Sequence, residues 1–260
     1  MTLLDTKVKP GESKEAYRAR MEQEIKTLLK RQRDAMSEGK IRVVMDVDDF
    51  GFLLPGYNDL LMLKKSLPNL KVTCFTIPLP REFYHSENAK LFTWEKYRKW
   101  AEIVNQHDWI EVAIHGFSHT HHECSCGYED AIMIIDATEK LFERVGLRYS
   151  KVFKAPYWQY SYDFFMALKD RGYICAIDRN HVRTVPAGLS TYVYGWSFEE
   201  PVLPDAEIIK GHGHFYGNNT NNIIQTLGNI LHLLPRDTQF LTISEYAKEK
   251  GSDAKEKPAA

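Results

Sequence analysis

Cysteine is scarce here: 260 residues contain four, at positions 74, 124, 126 and 175. So few, so scattered, cannot staple a disulfide scaffold, and reduced thiols are the expectation. Long apolar runs are missing too. None approaches the ~20 residues that span a bilayer. The first residues, MTLLDTKVKPGESKE, lack the basic start, apolar centre and small-residue cleavage site of a secretory signal. A cytoplasmic location with no membrane partner is therefore expected. Nor does one charge dominate: 34 Lys+Arg face 35 Asp+Glu, a formal charge of −1, so no basic field would draw nucleic acid. Internal repeats, low-complexity tracts and Gly/Ser linkers are absent, which argues against a repeat architecture or a break in mid-chain.

What is present is core-forming material. Hydrophobic residues make up 43% and aromatics 12% of the chain, enough for one full α/β domain. Residues 1–40 read as an arm and a helix, 41–248 as the main folded domain, and 249–260 as a disordered tail. Ser13 can cap a helix to about Gly39, with Tyr17, Met21, Ile25 and Leu28 on one apolar face. That stripe suits packing on the protein's own body better than a coiled coil. From residue 41 the pattern alternates. Strand-like runs fall at Ile41–Val47, Val72–Ile77, Trp109–Ile114, Lys151–Lys154, Tyr173–Ile177, Glu207–Ile209 and Phe240–Ile243. Helical patterns fill the gaps at Tyr57–Leu67, Trp94–Asn105, Tyr128–Val145, Tyr160–Arg171 and Asn221–Leu234. About seven mostly parallel strands with outer helices, in an open sheet or a barrel, are expected.

Unusual polar residues fall at the ends of these strands. Asp46, Asp48 and Asp49 end the first, His115 and His119 end the third, and Pro156 and Tyr157 follow the fourth. Asp178 ends the fifth, while His212 and His214 follow the next. Carboxyl ends of parallel strands share one rim, where α/β active sites sit, so these residues should converge. His115 and His119 are four apart, a spacing that lets two imidazoles face one point on a turn or tight loop. With one carboxylate they form an open three-ligand site for a divalent metal. A solvated histidine-rich loop would show the same spacing; the paired aspartates at another strand end favour the metal. Asp48 and Asp49 follow an apolar strand, where carboxylates are costly unless paired or metal-bound. One can ligate while the other reaches the attacking water. His121, His122, Cys124 and Cys126 offer a weaker set, better read as an exposed loop than as a second zinc site. Trp158 adjoins the site, where its face could stack on a ligand ring or pack in the core, and Trp196 lies in another loop.

VDDFG at 47–51, HGFSH at 115–119, KAPY at 154–157 and IIKGH at 208–212 occur in order, and the chain from 41 to 246 resembles the polysaccharide deacetylase family (carbohydrate esterase family 4). The resemblance implies a distorted (β/α) barrel, the NodB homology domain, and removal of acetyl groups from N-acetylated sugars. It implies that Asp48 is the general base, that Asp49, His115 and His119 hold a divalent metal, most simply zinc, and that the Tyr157 backbone N–H steadies the oxyanion. His212 would protonate the leaving amine, with His214 as the other candidate for that role. The expected partner is an N-acetylated sugar or a small amide. Departures from the family pattern mark a divergent branch. Phe50 intervenes before Gly51, Lys154 stands where the family has arginine, and Lys210 where it has an apolar residue. Asp178 would be a partner of the base in a poorly matching motif, and Lys154, grouped with Trp158 as a substrate-binding candidate, is expected to reach toward Asp48 or Asp178. The alternatives are a hydrolase of a non-sugar carbon–nitrogen bond and a non-catalytic carbohydrate-binding relative.

Overall fold

The structure, a computed structural model, describes residues 41–255 apart from 53, 55, 81–91, 205 and 215–219, together with positions 13, 16, 19, 20 and 23. Ser13 Oγ accepts the Ala16 N–H at 3.1 Å, and 16, 19, 20 and 23 are helical. The cap is as expected; the apolar stripe of that helix lies outside the described residues.

Nine described strands share one sheet: β1 (Arg42–Phe50), β2 (Val72–Thr76), β3 (Ile110–Ile114), β4 (Val152–Phe153), β5 (Ile174–Ile177), β6 (Ser190–Val193), β7 (Trp196–Ser197), β8 (Ile208–His214) and β9 (Gln239–Leu241). All pairings are parallel, in the order β6-β5-β4-β3-β2-β1-β8-β7, with β9 beside β1. Around the sheet lie α1 (Tyr57–Ser66), α2 (Trp94–Asn105), α3 (Tyr128–Val145), α4 (Tyr162–Asp170), α5 (Thr220–Leu233) and α6 (Ile243–Lys255). β1 is the hub. β8 runs along one edge of it, while β9 pairs with Arg42–Val44 and β2 with Asp46–Phe50 on the other.

The sheet is curled because its two edge strands are nearly consecutive in the chain. Val193 ends β6 and Trp196 begins β7, so three residue steps, roughly 10 Å at full extension, must join them. The joint is hydrogen-bonded to both sides: the Tyr194 N–H donates to Ile177 O at 3.3 Å and the Gly195 N–H to Lys210 O at 3.0 Å. One extended stretch thus changes partner from β5 to β8 in mid-course. Side chains then divide between two apolar layers. Val44, Phe75, Ala113, Val152, Ala176 and Tyr192 pack together in the interior, with Ile243 from α6. Val43, Met45 and Val47, on the opposite face of β1, pack in the larger layer that includes residues of the helices.

Several elements differ from the sequence expectation. β1 and β8 run on into their polar ends, so Asp48, Asp49, His212 and His214 sit within strands. β6 and β7 were not expected, because STYV and WS contain no apolar run. Trp196 is correspondingly a buried strand residue rather than a loop residue. Ile243 begins α6 rather than ending a strand, and that helix continues to Lys255 through much of the expected tail.

Candidate active site

Every second residue of β1 points inward, which places Val44, Asp46 and Asp48 on the interior face. The β1–β8 register sets Val44 against Lys210, Asp46 against His212 and Asp48 against His214. Asp49 would by simple alternation face outward. Pairing with β2 is irregular between Val47 and Phe50, however, and Asp49 adopts φ 60°. A bulge of this kind re-aims a side chain. Both aspartates consequently reach the same imidazole: Asp48 Oδ2 lies 3.7 Å and Asp49 Oδ1 3.8 Å from His115 Nε2.

His115 follows β3, anchored by its N–H to Thr76 O at 2.9 Å. Its Nδ1 is 3.0 Å from the Lys154 carbonyl, which can only accept, so Nδ1 carries the hydrogen and Nε2 offers a lone pair. Burial drives its pKa down to about 3, Asp48 opposing, so the ring is neutral at pH 7. His119 sits in the loop beyond at φ 58°, with Nε2 3.3 Å from Asp49 Oδ1. Ligand atoms of Asp49, His115 and His119 all lie within 4.8 Å of one another. One carboxylate oxygen and two imidazole nitrogens, the first oriented from behind, are a donor set that fits a divalent ion.

Beside this set lies a second polar cluster, organised by Lys154. That side chain is 1% exposed, and its ammonium donates to Asp48 Oδ1 at 2.8 Å and lies 2.7 Å from Oδ2. It is also 3.2 Å from His212, 3.9 Å from Asp46 Oδ1 and 3.9 Å from the centroid of the Trp158 ring. Burial alone would raise the Asp48 pKa; Lys154, then His212, His115 and His214, outweigh it and hold the carboxyl well below its ordinary value. His212 is buried, with Nδ1 2.6 Å from Asp46 Oδ1 and Nε2 3.5 Å from Asp48 Oδ2. His214 is more open, its side chain 41% exposed, 3.8 Å from Asp48 Oδ2 and 3.5 Å from Glu199 Oε1. Burial lowers the His214 pKa. Asp48, His212 and His214 also bring donor atoms within 4.8 Å, but the ammonium already sits on two of the three.

Pro156–Trp158 lie in a tight turn, closed by the Gln159 N–H on Pro156 O at 3.2 Å, with Tyr157 and Trp158 in the left-handed region at φ 56° and 59°. Side-chain-bearing residues adopt that region only where the surroundings enforce it. Tyr157 is 44% exposed, stacks on His121 at 3.7 Å and lies 4.9 Å from His119. Trp158 stacks on Tyr194 at 5.0 Å and meets His212 edge-on at 5.7 Å.

The structure thus brings Asp48, Asp49, His115, His119, Lys154, Tyr157, Trp158, His212 and His214 to one rim. Asp178 is not among them. It caps the short 3₁₀ turn Arg179–Arg183 and bonds Asn180 and His181, so it is no partner of Asp48. Asp46 was seen in the sequence only as part of an acidic run, yet it is the carboxylate that holds His212. The His121–Cys126 loop does not gather into a metal set among the described residues: Cys124 is buried in the core and His121 is stacked on Tyr157. A surface cavity of about 320 Å³, lined by residues including His107, Glu111 and Arg148, lies by the starts of β3 and β4, at the other ends of those strands from the site.

The arrangement sets three side chains that could hold a divalent ion beside an ionised carboxylate and two histidines. Comparison with protein-family models and with curated proteins finds no match. Solved structures do match. The Xyl-CE4 domain of a multidomain xylanase from the hindgut metagenome of Trinervitermes trinervoides is 16% identical, with a TM-score of 0.50, over 82% of this chain and 92% of that one. A protein from Mycobacterium smegmatis, provisionally assigned as a polysaccharide deacetylase, is 13% identical with a TM-score of 0.53, over 85% and 93%. A 4-alpha-glucanotransferase from Thermococcus litoralis is 12% identical with a TM-score of 0.54, over 81% of this chain but 40% of that one. The fold is therefore the NodB-type (β/α) barrel, a parallel sheet curled into a half-barrel with surrounding helices. The glucanotransferase shows that this scaffold also carries other chemistry, so function has to be argued from the site.

Proposed function

We propose that this chain is a zinc-dependent hydrolase that removes an acetyl group from an N-acetylated sugar or sugar conjugate, as a divergent relative of carbohydrate esterase family 4. One observation carries the reading: Asp49, His115 and His119 present a carboxylate and two imidazoles within 4.8 Å on the rim where Asp48 stands ready as base. A zinc ion held there would polarise the acetyl carbonyl and lower the pKa of water. Asp48, ionised at neutral pH, accepts the proton of the attacking water as its oxygen bonds to the carbonyl carbon. The Tyr157 backbone N–H donates to the developing oxyanion. His212 delivers a proton to the nitrogen as the C–N bond breaks, releasing acetate and a free amine. Asp46, 2.6 Å from Nδ1, orients that imidazole with a carboxylate behind it, which is why His212 is preferred to His214 for the role. Lys154 holds Asp48 in place from a buried position rather than touching substrate.

A second reading has its own support. The Trp158 ring already packs against Lys154 and Tyr194, leaving less of its face for a sugar, which favours a small non-sugar amide on the same machinery. The deciding experiment is an acetate-release screen on zinc-loaded and chelator-stripped protein, using N-acetylglucosamine oligomers, sugar conjugates and simple acetamides. Zinc-dependent release from a sugar substrate is expected. Release from acetamides alone would move the assignment to the amide reading, and bound metal with no turnover would favour a carbohydrate-binding role.

A further inference from the structure

We propose that Glu123 is a positioning residue that sets His119 for metal binding, an inference resting on the metal reading above. Its carboxylate is wrapped by the loop between the two histidines and the residue just beyond. Oε1 accepts the backbone N–H of Phe117 and, at 3.3 Å, that of Ser118. Oε2 accepts the Ser118 N–H at 3.2 Å, the Ser118 hydroxyl at 3.0 Å, the Thr120 N–H at 3.0 Å and the Thr120 hydroxyl at 3.2 Å. Three backbone donors and two hydroxyls converge on one side chain.

The consequence falls on His119, because its neighbours on both sides, Ser118 and Thr120, are tied to the same oxygen. His119 itself holds φ 58°, a conformation that a side-chain-bearing residue keeps only when its surroundings over-determine it. Glu123 supplies that constraint. Gly116 makes room for it: a Cβ there would lie 2.2 Å from Glu123 Oε1 and 2.8 Å from a Pro156 ring carbon. The glycine therefore lets the carboxylate reach the loop backbone, and the proline beside it leads directly into the turn carrying Tyr157. Glu123 touches neither His119's ring nor the site of reaction; it acts through the loop.

The test is zinc affinity by competition with a chelating dye, alongside the visible spectrum of the cobalt(II) form. Glu123→Gln keeps the size of the side chain but replaces an acceptor oxygen by an NH2 group that cannot accept. It should weaken zinc binding by about 10–100-fold, the usual scale for outer partners of metal ligands, and alter the cobalt spectrum. The double variant Ser118→Ala/Thr120→Val removes only the two hydroxyl donors and should lose several-fold. Thr93→Ala removes the cap of α2, where Thr93 Oγ1 accepts the Lys96 N–H at 3.1 Å; it should lower the melting temperature without moving zinc affinity. Wild-type affinity and spectrum in Glu123→Gln, or an equal loss of affinity in Thr93→Ala, would overturn the role of Glu123 while leaving the metal reading intact. Should Glu123→Gln fail to fold, unchanged affinity in the double variant overturns it. A wild-type protein that binds no metal would overturn both.

Discussion

Lys154 holds a carboxylate in a way that an arginine would not. An ammonium is a point charge on a flexible stem, without the planar fork of a guanidinium. Here burial takes the place of the fork: at 1% exposure, the ammonium is confined among both Asp48 oxygens, His212 and the Trp158 ring. The resemblance implied a reach toward Asp48 or Asp178, and the structure takes the first. The role of Asp46 was not, because a run of acids reads as a turn or cap until strand alternation and the β8 register set Asp46 against His212. Two predictions belong at this scale. Lys154→Met removes the largest influence lowering the Asp48 pKa and leaves burial, which raises it. The acid limb of the pH–rate profile should therefore move to higher pH and neutral turnover should fall, with zinc content unchanged; Lys154→Arg should retain activity. Asp48→Asn should keep the metal and lose turnover by about 10²–10⁴-fold, since an amide cannot accept the water's proton. Steady-state kinetics beside metal analysis checks both.

Among the elements, β8 links packing to function most directly. Its sequence IIKGHGH alternates Ile208, Lys210, His212 and His214 inward with Ile209, Gly211 and Gly213 on the other face. The glycines leave room for close neighbours: a Cβ on Gly211 would be 2.4 Å from the Phe198 ring, and one on Gly213 2.9 Å from the Thr226 methyl. Gly211→Ala should destabilise the protein by roughly 1–3 kcal/mol, the usual range for overpacking, and displace His212, which neighbours it in the chain. Urea denaturation together with the pH–rate profile measures both effects. The helices were readable because their apolar faces repeat over several turns, and α2 and α3 lie where the pattern put them. The short edge strands β6 and β7 were not. They are defined by what they pair with rather than by their own composition, and the same is true of the bulge that turns Asp49 toward the rim.

For the whole molecule, burying the site's titratable groups ties stability to pH. His115 titrates near 3 when folded, against an ordinary value of 6.5, so below 6.5 the unfolded chain takes up a proton that the folded one refuses. Its contribution is fully present above 6.5 and is lost as pH falls toward 3; His214 is shifted in the same direction. Chelator-treated protein should thus melt at progressively lower temperature from pH 7 to 4.5, and His115→Gln should show a shallower slope. Equal slopes would show that His115 does not contribute. The parallel sheet and its polar rim were legible because strand runs alternated with helical patterns and strand ends carried polar residues that no core would hold unpaired, whereas the barrel was expected only through the resemblance; the closure through Tyr194 and Gly195 needed the structure. At the centre of the account stands one ion on Asp49, His115 and His119, with Lys154 supplying the positive charge in the neighbouring cluster. Zinc stoichiometry of reconstituted, desalted protein, measured for the wild type and for His119→Ala, tests it most directly. One zinc per chain is expected in the wild type and none in the variant; a wild type without zinc, or a variant that retains it, would rule out this ligand set.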